Sequence, residues 1–128
     1  MPSIFLKIIA GEIPCHKVAE NDNFLAFLDI NPLAKGHTLV VPKREVNYIF
    51  ELEDEHYQSF WLFAKRVAKK IESAIDCERI GVAVIGLEVP HAHIHLVPIQ
   101  EVEDIDFSKP KLNYSQAQLS EIASLIRS

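Results

Sequence analysis

Between Pro90 and Pro98 the chain reads His91-Ala92-His93-Ile94-His95-Leu96-Val97, a run that holds three of its six histidines. Alternate side chains of an extended strand leave opposite faces, so the three imidazoles project from one side and Ala92, Ile94 and Leu96 from the other. The apolar set can anchor the strand in a core. The imidazoles need another explanation, because each brings two polar nitrogens that require partners, and protonated neighbours repel. Near its ordinary pKa of about 6.5 an imidazole acts at neutral pH as nucleophile, proton donor or oxyanion partner, and phosphoryl chemistry uses all three roles. A metal site competes for the same residues, with alternate histidines turned toward one ion and Glu88 and His37 completing it after folding. No carboxylate or cysteine follows at a recognisable ligand spacing, so catalysis is preferred and neither a metal nor a cofactor is expected.

These residues must be held by the elements around them. Ser3 opens a short amphipathic helix that Gly11 closes, with Ile4, Phe5, Ile8 and Ile9 expected to face inward. An extended run through Val18, a turn over Glu20-Asn21-Asp22-Asn23 and a strand from Phe24 to Leu28 make a hairpin. A β-branched strand from His37 to Val41 ends at Pro42, which cannot donate to a ladder. From about Glu53 to Ile75 helical spacing recurs in Tyr57, Phe60, Trp61, Ala64, Val67, Ala68, Ile71 and Ile75. Lys65, Arg66, Lys69 and Lys70 lie mainly off that stripe and read as a solvated face. Strands Ile80–Ile85 and His91–Ile99 flank the loop Gly86-Leu87-Glu88-Val89-Pro90. An acidic stretch around Glu101 to Asp106 leads to a last helix, opened by the capping box Ser115-Gln116-Ala117-Gln118 and presenting Leu119, Ile122, Leu125 and Ile126. The expected class is α+β, an antiparallel sheet with one long central helix and a C-terminal helix.

With 128 residues, 48% of them hydrophobic and 24% charged, the chain fits one folded domain spanning residues 1–128. A net charge of −5 and a pI of about 5.6 supply no positive field for a polyphosphate backbone, so a nucleic-acid partner is not expected. No signal-peptide pattern opens the sequence and no run reaches the ~18 apolar residues of a membrane span, so a cytoplasmic location without membrane partners is expected. Cys15 and Cys77 form no CxxC pair and read as plain thiols.

The run His91 to Val97 resembles the signature of the histidine triad (HIT) superfamily, three histidines alternating with apolar residues. The likeness extends from Ile4-Phe5 through Ala26-Phe27-Leu28-Asp29-Ile30-Asn31-Pro32 and His37-Thr38-Leu39-Val40-Val41-Pro42 to Pro98, and its spacing matches the Hint-like branch best. The resemblance implies a homodimeric domain that binds a purine nucleotide and transfers its nucleotidyl group through a covalent histidine intermediate, as a nucleoside phosphoramidase or related nucleotidyl hydrolase. A dinucleoside polyphosphate hydrolase and a noncatalytic nucleotide-binding scaffold are the alternatives. By similarity His93 is the nucleophile, His95 and His91 hold the phosphate and orient that nucleophile, and His37 is a fourth active-site histidine. Asp29 matches the carboxylate that receives the ribose hydroxyls, and Phe5, Ile8, Phe27 and Ile30 match the apolar positions around the base. Each has a plainer reading, the aromatic and aliphatic residues as core and Asp29 as a turn residue before Asn31-Pro32. The sequence departs from the family in the loop before the triad, where relatives carry a longer glycine-rich segment ending in Ser or Thr. Glu88 stands there, its negative charge opposing a bound phosphate, and is expected to alter which departing group is accepted.

Overall fold

The computed structural model describes residues 3–128. Helix α1 covers Ile4–Ile9, and strands β1 (Lys17–Glu20), β2 (Phe24–Leu28) and β3 (Thr38–Pro42) follow. Helix α2 (Asp54–Ala74) precedes β4 (Arg79–Ala83) and β5 (Ile94–Ile99), and α3 (Gln116–Arg127) closes the chain. The strands form one antiparallel sheet in the order β1-β2-β3-β5-β4, so the α+β architecture is as the patterning predicts.

All five residues of β2 and all five of β3 are buried, because both faces of the sheet are covered there. Phe24, Ala26, Leu28, Val40, Ile94 and Leu96 point into the main core with Phe60, Phe63, Val67 and Ile71 of α2 and Leu119, Ile122 and Ile126 of α3. The odd set, Leu25, Phe27, Leu39 and Val41, meets Phe5 of α1 on the other face. The triad-bearing segment uses the same alternation: Ala92, Ile94 and Leu96 belong to the main core, which leaves the histidines for the opposite face.

Several expected details change. Ile4 is 50% exposed, since a six-residue helix lying on a sheet buries one narrow stripe, here centred on Phe5. Leu125 is 47% exposed, at the edge of the stripe of α3 that buries Leu119, Ile122, Ala123 and Ile126. Phe63, absent from the predicted stripe of α2, is buried against Phe24 with ring centroids 5.5 Å apart. The last strand begins at Ile94 rather than His91, and β3 at Thr38 rather than His37, so the site histidines sit at strand entrances. β4 ends at Ala83, two residues short of the predicted Ile85. Lys65, Arg66, Lys69 and Lys70 are exposed as expected.

Candidate active site

The four site histidines are buried, and their hydrogen-bond partners dictate where each proton lies. His91 Nε2 is 2.8 Å from the carbonyl oxygen of Pro42, which can only accept, so this nitrogen carries the hydrogen. Nδ1 of His91 then accepts from the Ser3 hydroxyl at 3.1 Å, and that hydroxyl also accepts from the Leu6 amide as the N-cap of α1. His93 Nδ1 lies 2.7 Å from the carbonyl oxygen of His91 and must be its donor, which leaves the Nε2 lone pair of neutral His93 free. A second chain starts at the amide of Leu33, which donates to His37 Nδ1 at 3.0 Å. Neutral His37 is therefore protonated at Nε2 and donates to His95 Nδ1, 3.0 Å away, so neutral His95 keeps its hydrogen on Nε2. The site thus has one ring lone pair that no donor occupies among these hydrogen bonds, on His93 Nε2, and a ring N–H on His95, the two rings 4.9 Å apart.

Burial favours the neutral forms of His37, His91 and His95. His37 is pushed down to about 3 by desolvation first, then by the charges of His95 and Lys111. His95 is pushed down to about 4 by desolvation and by His93. His91 is lowered mainly by desolvation, although its bond to Pro42 opposes the shift. Asp29 is raised by burial, only partly offset by the Asn31 amide that donates to its Oδ1 at 2.9 Å. Asp29 therefore does form the turn of its plainer reading, with one oxygen, while its Oδ2 faces His37 Nε2 at 3.6 Å.

Phe5 and Phe27 meet edge to face at 5.6 Å, and Phe5 stands 5.0 Å from the His93 ring. Ile8 packs against the same cluster, half-buried, whereas Ile30 is 59% exposed. Glu88 shares a small cavity with His93 and His95, and Asp29 and His37 share a separate crevice. Of the ten residues singled out in the sequence, the four histidines, Phe5, Asp29 and Glu88 have a contact or a cavity in common with the His93 or His37 ring, Phe27 and Ile8 join them through the Phe5 cluster, and Ile30 does not; no single cavity collects them. Two contributors escaped the sequence reading. Phe107 packs edge-on to His95 at 4.7 Å and to His37 at 6.2 Å, and its one signal is being the only aromatic between Gln100 and Asn113. Ser3 reads in the sequence as a helix cap and nothing more.

This geometry, a strand-entrance histidine array on a five-stranded antiparallel sheet, has clear relatives. The HIT domain model matches residues 10–102, and the chain belongs to the HIT, or histidine triad, family, whose members are nucleotide-binding hydrolases and transferases. It is 41% identical over 103 residues to the adenosine 5'-monophosphoramidase hnt1 of Schizosaccharomyces pombe, covering 77% of this chain and 74% of that protein. Among solved structures, a Hit-like protein of Bartonella henselae crystallised with an unknown ligand superposes with a TM-score of 0.86 at 31% identity, over 98% of this chain and 93% of that one. A zinc-bound histidine triad protein of Mycobacterium smegmatis gives 0.82 at 25% identity, over 97% and 89% of the two chains.

The last of these raises the question of zinc. Among the described residues Asp29, His37 and His95 bring three ligand atoms within 4.8 Å of one another. They do not fit the ion as they are bonded here: His37 Nε2 carries a hydrogen and His95 Nδ1 receives it, so both nitrogens are committed to each other. No step of the chemistry below passes through a metal.

Proposed function

We propose that this protein hydrolyses purine nucleoside 5'-phosphoramidates, or closely related nucleoside phosphates, through a nucleotidyl intermediate on His93. The observation that carries the reading is the fixed tautomer of His93: Nδ1–H is held by the His91 carbonyl, which leaves the Nε2 lone pair free, and the His95 ring, with its hydrogen on Nε2, lies 4.9 Å away between centroids. Nε2 attacks the α-phosphorus and forms a P–N bond as the bond to the departing group breaks and takes its electron pair with it. The imidazole, still protonated on Nδ1, becomes cationic and is a good departing group in its turn. Water then attacks phosphorus, the P–Nε2 bond returns its electrons to the ring, and nucleotide is released with a proton to solvent. His95 donates to a phosphate oxygen in both steps, and neutral His37 keeps that donor aimed. His91 orients His93 through its carbonyl. Asp29 receives the ribose hydroxyls, and Phe5, Ile8, Phe27 and Ile30 enclose the base.

We further propose a cytoplasmic homodimer of a single domain. Supporting this, no helix is long and apolar enough to cross a membrane among the described residues, and β4 is an edge strand carrying the half-exposed Val82. The test of function is steady-state amine release from adenosine and guanosine 5'-phosphoramidates. Turnover abolished by His93→Ala and untouched by a chelator is the expected result. Cleavage of dinucleoside polyphosphates faster than phosphoramidates favours the polyphosphate hydrolase instead, and nucleotide binding with no His93-dependent turnover favours a scaffold.

A further inference from the structure

Resting on that reading, we propose that Phe107 is a positioning residue of this site: it holds the His95 ring in the one orientation and tautomer that keep Nε2–H available to the phosphate. Three rings pack on His95. Between centroids His93 stands 4.9 Å away, His37 5.3 Å and Phe107 4.7 Å, and Phe107 meets His37 as well at 6.2 Å. Phe107 also lines the small cavity that holds Glu88, His93 and His95, so it borders the space open to both histidines. It joins neither of the two apolar cores. Its aromatic contacts are instead the two imidazoles that end the Leu33–His37–His95 chain.

The chain on either side of Phe107 is built to hold it there. After β5 the amides of Gln100 and Glu101 both donate to Asp104 Oδ2, at 2.8 and 2.9 Å, and turn the backbone into a short 3-10 helix over Val102–Ile105. Ile105 lies over Gly81 of β4, where an added Cβ would come 3.1 Å from Ile105 Cδ1, so glycine leaves it room. Asp106 Oδ1 accepts from the amide and the hydroxyl of Ser108 at 3.0 and 2.7 Å, and the Lys109 amide donates to the Asp106 carbonyl at 3.1 Å. Lys111 Nζ donates to the carbonyls of Phe107 and Lys109 at 2.6 and 3.0 Å, and the Leu112 amide to that of Pro32 at 2.8 Å, which ties the strap to the loop after Asp29. Asp106, Ser108, Lys109 and Pro110 are exposed, so a single half-buried ring is turned inward from an otherwise solvated turn. Residues 103–112 lie beyond the 10–102 span of the family match, so this support of His95 comes from outside it. Its effect follows from the hydrogen bond it covers. His37 donates to His95 Nδ1 only while that ring stays in place and dry. With Phe107 removed, water reaches the pair and competes for the His37 N–H, and His95 gains room to turn and to carry its hydrogen on either nitrogen.

Ring ¹⁵N NMR of the full chain at pH 7 reads the tautomer without any turnover. Wild-type His95 is expected as a single Nε2–H tautomer, and Phe107→Ala should show both tautomers in exchange. In turnover of adenosine 5'-phosphoramidate, Phe107→Ala should lower kcat about thirtyfold and leave KM within about twofold, the pattern of a displaced group that acts in the transition state. Phe107→Leu, which keeps an apolar cover, should bring kcat back to within about threefold of wild type. Asp106→Ala removes the acceptor that shapes the turn and should act in the same direction, about threefold in kcat with the same mixing of tautomers. Because Phe107 belongs to neither core, Phe107→Ala is expected to keep the far-UV circular dichroism of wild type. A single His95 tautomer with wild-type kcat in Phe107→Ala overturns the positioning role. A loss carried by KM alone also overturns it, since the ring would then be a wall of the substrate site. Mixed tautomers in Phe107→Ala, beside a wild type that turns over no phosphoramidate, uphold the positioning and overturn the proposed function instead.

Discussion

Nε2 of His93, the proposed nucleophile, is available because Nδ1 is occupied by the His91 backbone carbonyl, and the ring of that same His91 is held by Ser3. Ser3 has two duties, accepting from Leu6 and donating to His91, and they can be separated. Ser3→Thr keeps both. Ser3→Asp keeps the cap but replaces the donor with a carboxylate that favours a proton on His91 Nδ1. Ser3→Asp is expected to retain a melting temperature near wild type while lowering kcat about tenfold with little change in KM, and the His91 ring nitrogens should change protonation in ¹⁵N NMR spectra. Ser3→Thr should match wild type in all three. A second residue-scale prediction concerns acid. His37 and His95 titrate at about 3 and 4 in the folded chain, against about 6.5 unfolded, so below pH 6.5 the unfolded chain takes up protons the native one refuses. The stability these groups contribute is complete above pH 6.5 and declines as pH falls toward their folded values, by on the order of 2 kcal/mol per histidine at pH 5. Urea unfolding at pH 7 and pH 5 measures it, and His37→Gln should flatten the slope. At this scale the types and spacing of the triad were legible in the sequence, whereas the tautomers were not, because they depend on carbonyls of Pro42 and His91 and on the Leu33 amide, which no side-chain pattern encodes.

Elements deliver these residues through their ends. Gly36 turns the chain into β3 at φ 92°, where a Cβ would come 3.0 Å from Ile75 Cγ1, so the entrance that places His37 requires glycine. Gly36→Ala is expected to destabilise the fold by roughly 1–3 kcal/mol and to lower kcat, both through a displaced His37, as denaturation and turnover would show. Phe60, fully buried and stacked on Phe24 at 5.4 Å, fixes α2 to the sheet. Its truncation to Ala should cost about 3–5 kcal/mol by chemical denaturation, with the remaining folded fraction still active. Periodicity showed the long helix almost to the residue, Glu53 and Ile75 being its caps, because a 21-residue amphipathic stripe averages over many positions. The six-residue α1 averages over very few, which is why Ile4 was misplaced.

For the whole molecule, the sheet's two covered faces divide the labour: one holds the main core with α2 and α3, the other the Phe5 cluster and the histidines. That division was legible as alternation in the triad segment. The packing of Phe107 on the histidines was not, since its segments meet only in the folded chain. The edge strand β4 makes an assembly prediction: Val82→Lys should convert a dimer into a monomer in light scattering after size exclusion, without loss of secondary structure. The most direct test of the central claim is to quench the enzyme in acid-free denaturant during turnover of adenosine phosphoramidate and map the adduct by mass spectrometry. A nucleotidyl group on His93, present in wild type and missing from His93→Ala, is the predicted result; turnover at full rate by His93→Ala, or an adduct on another residue, would contradict it.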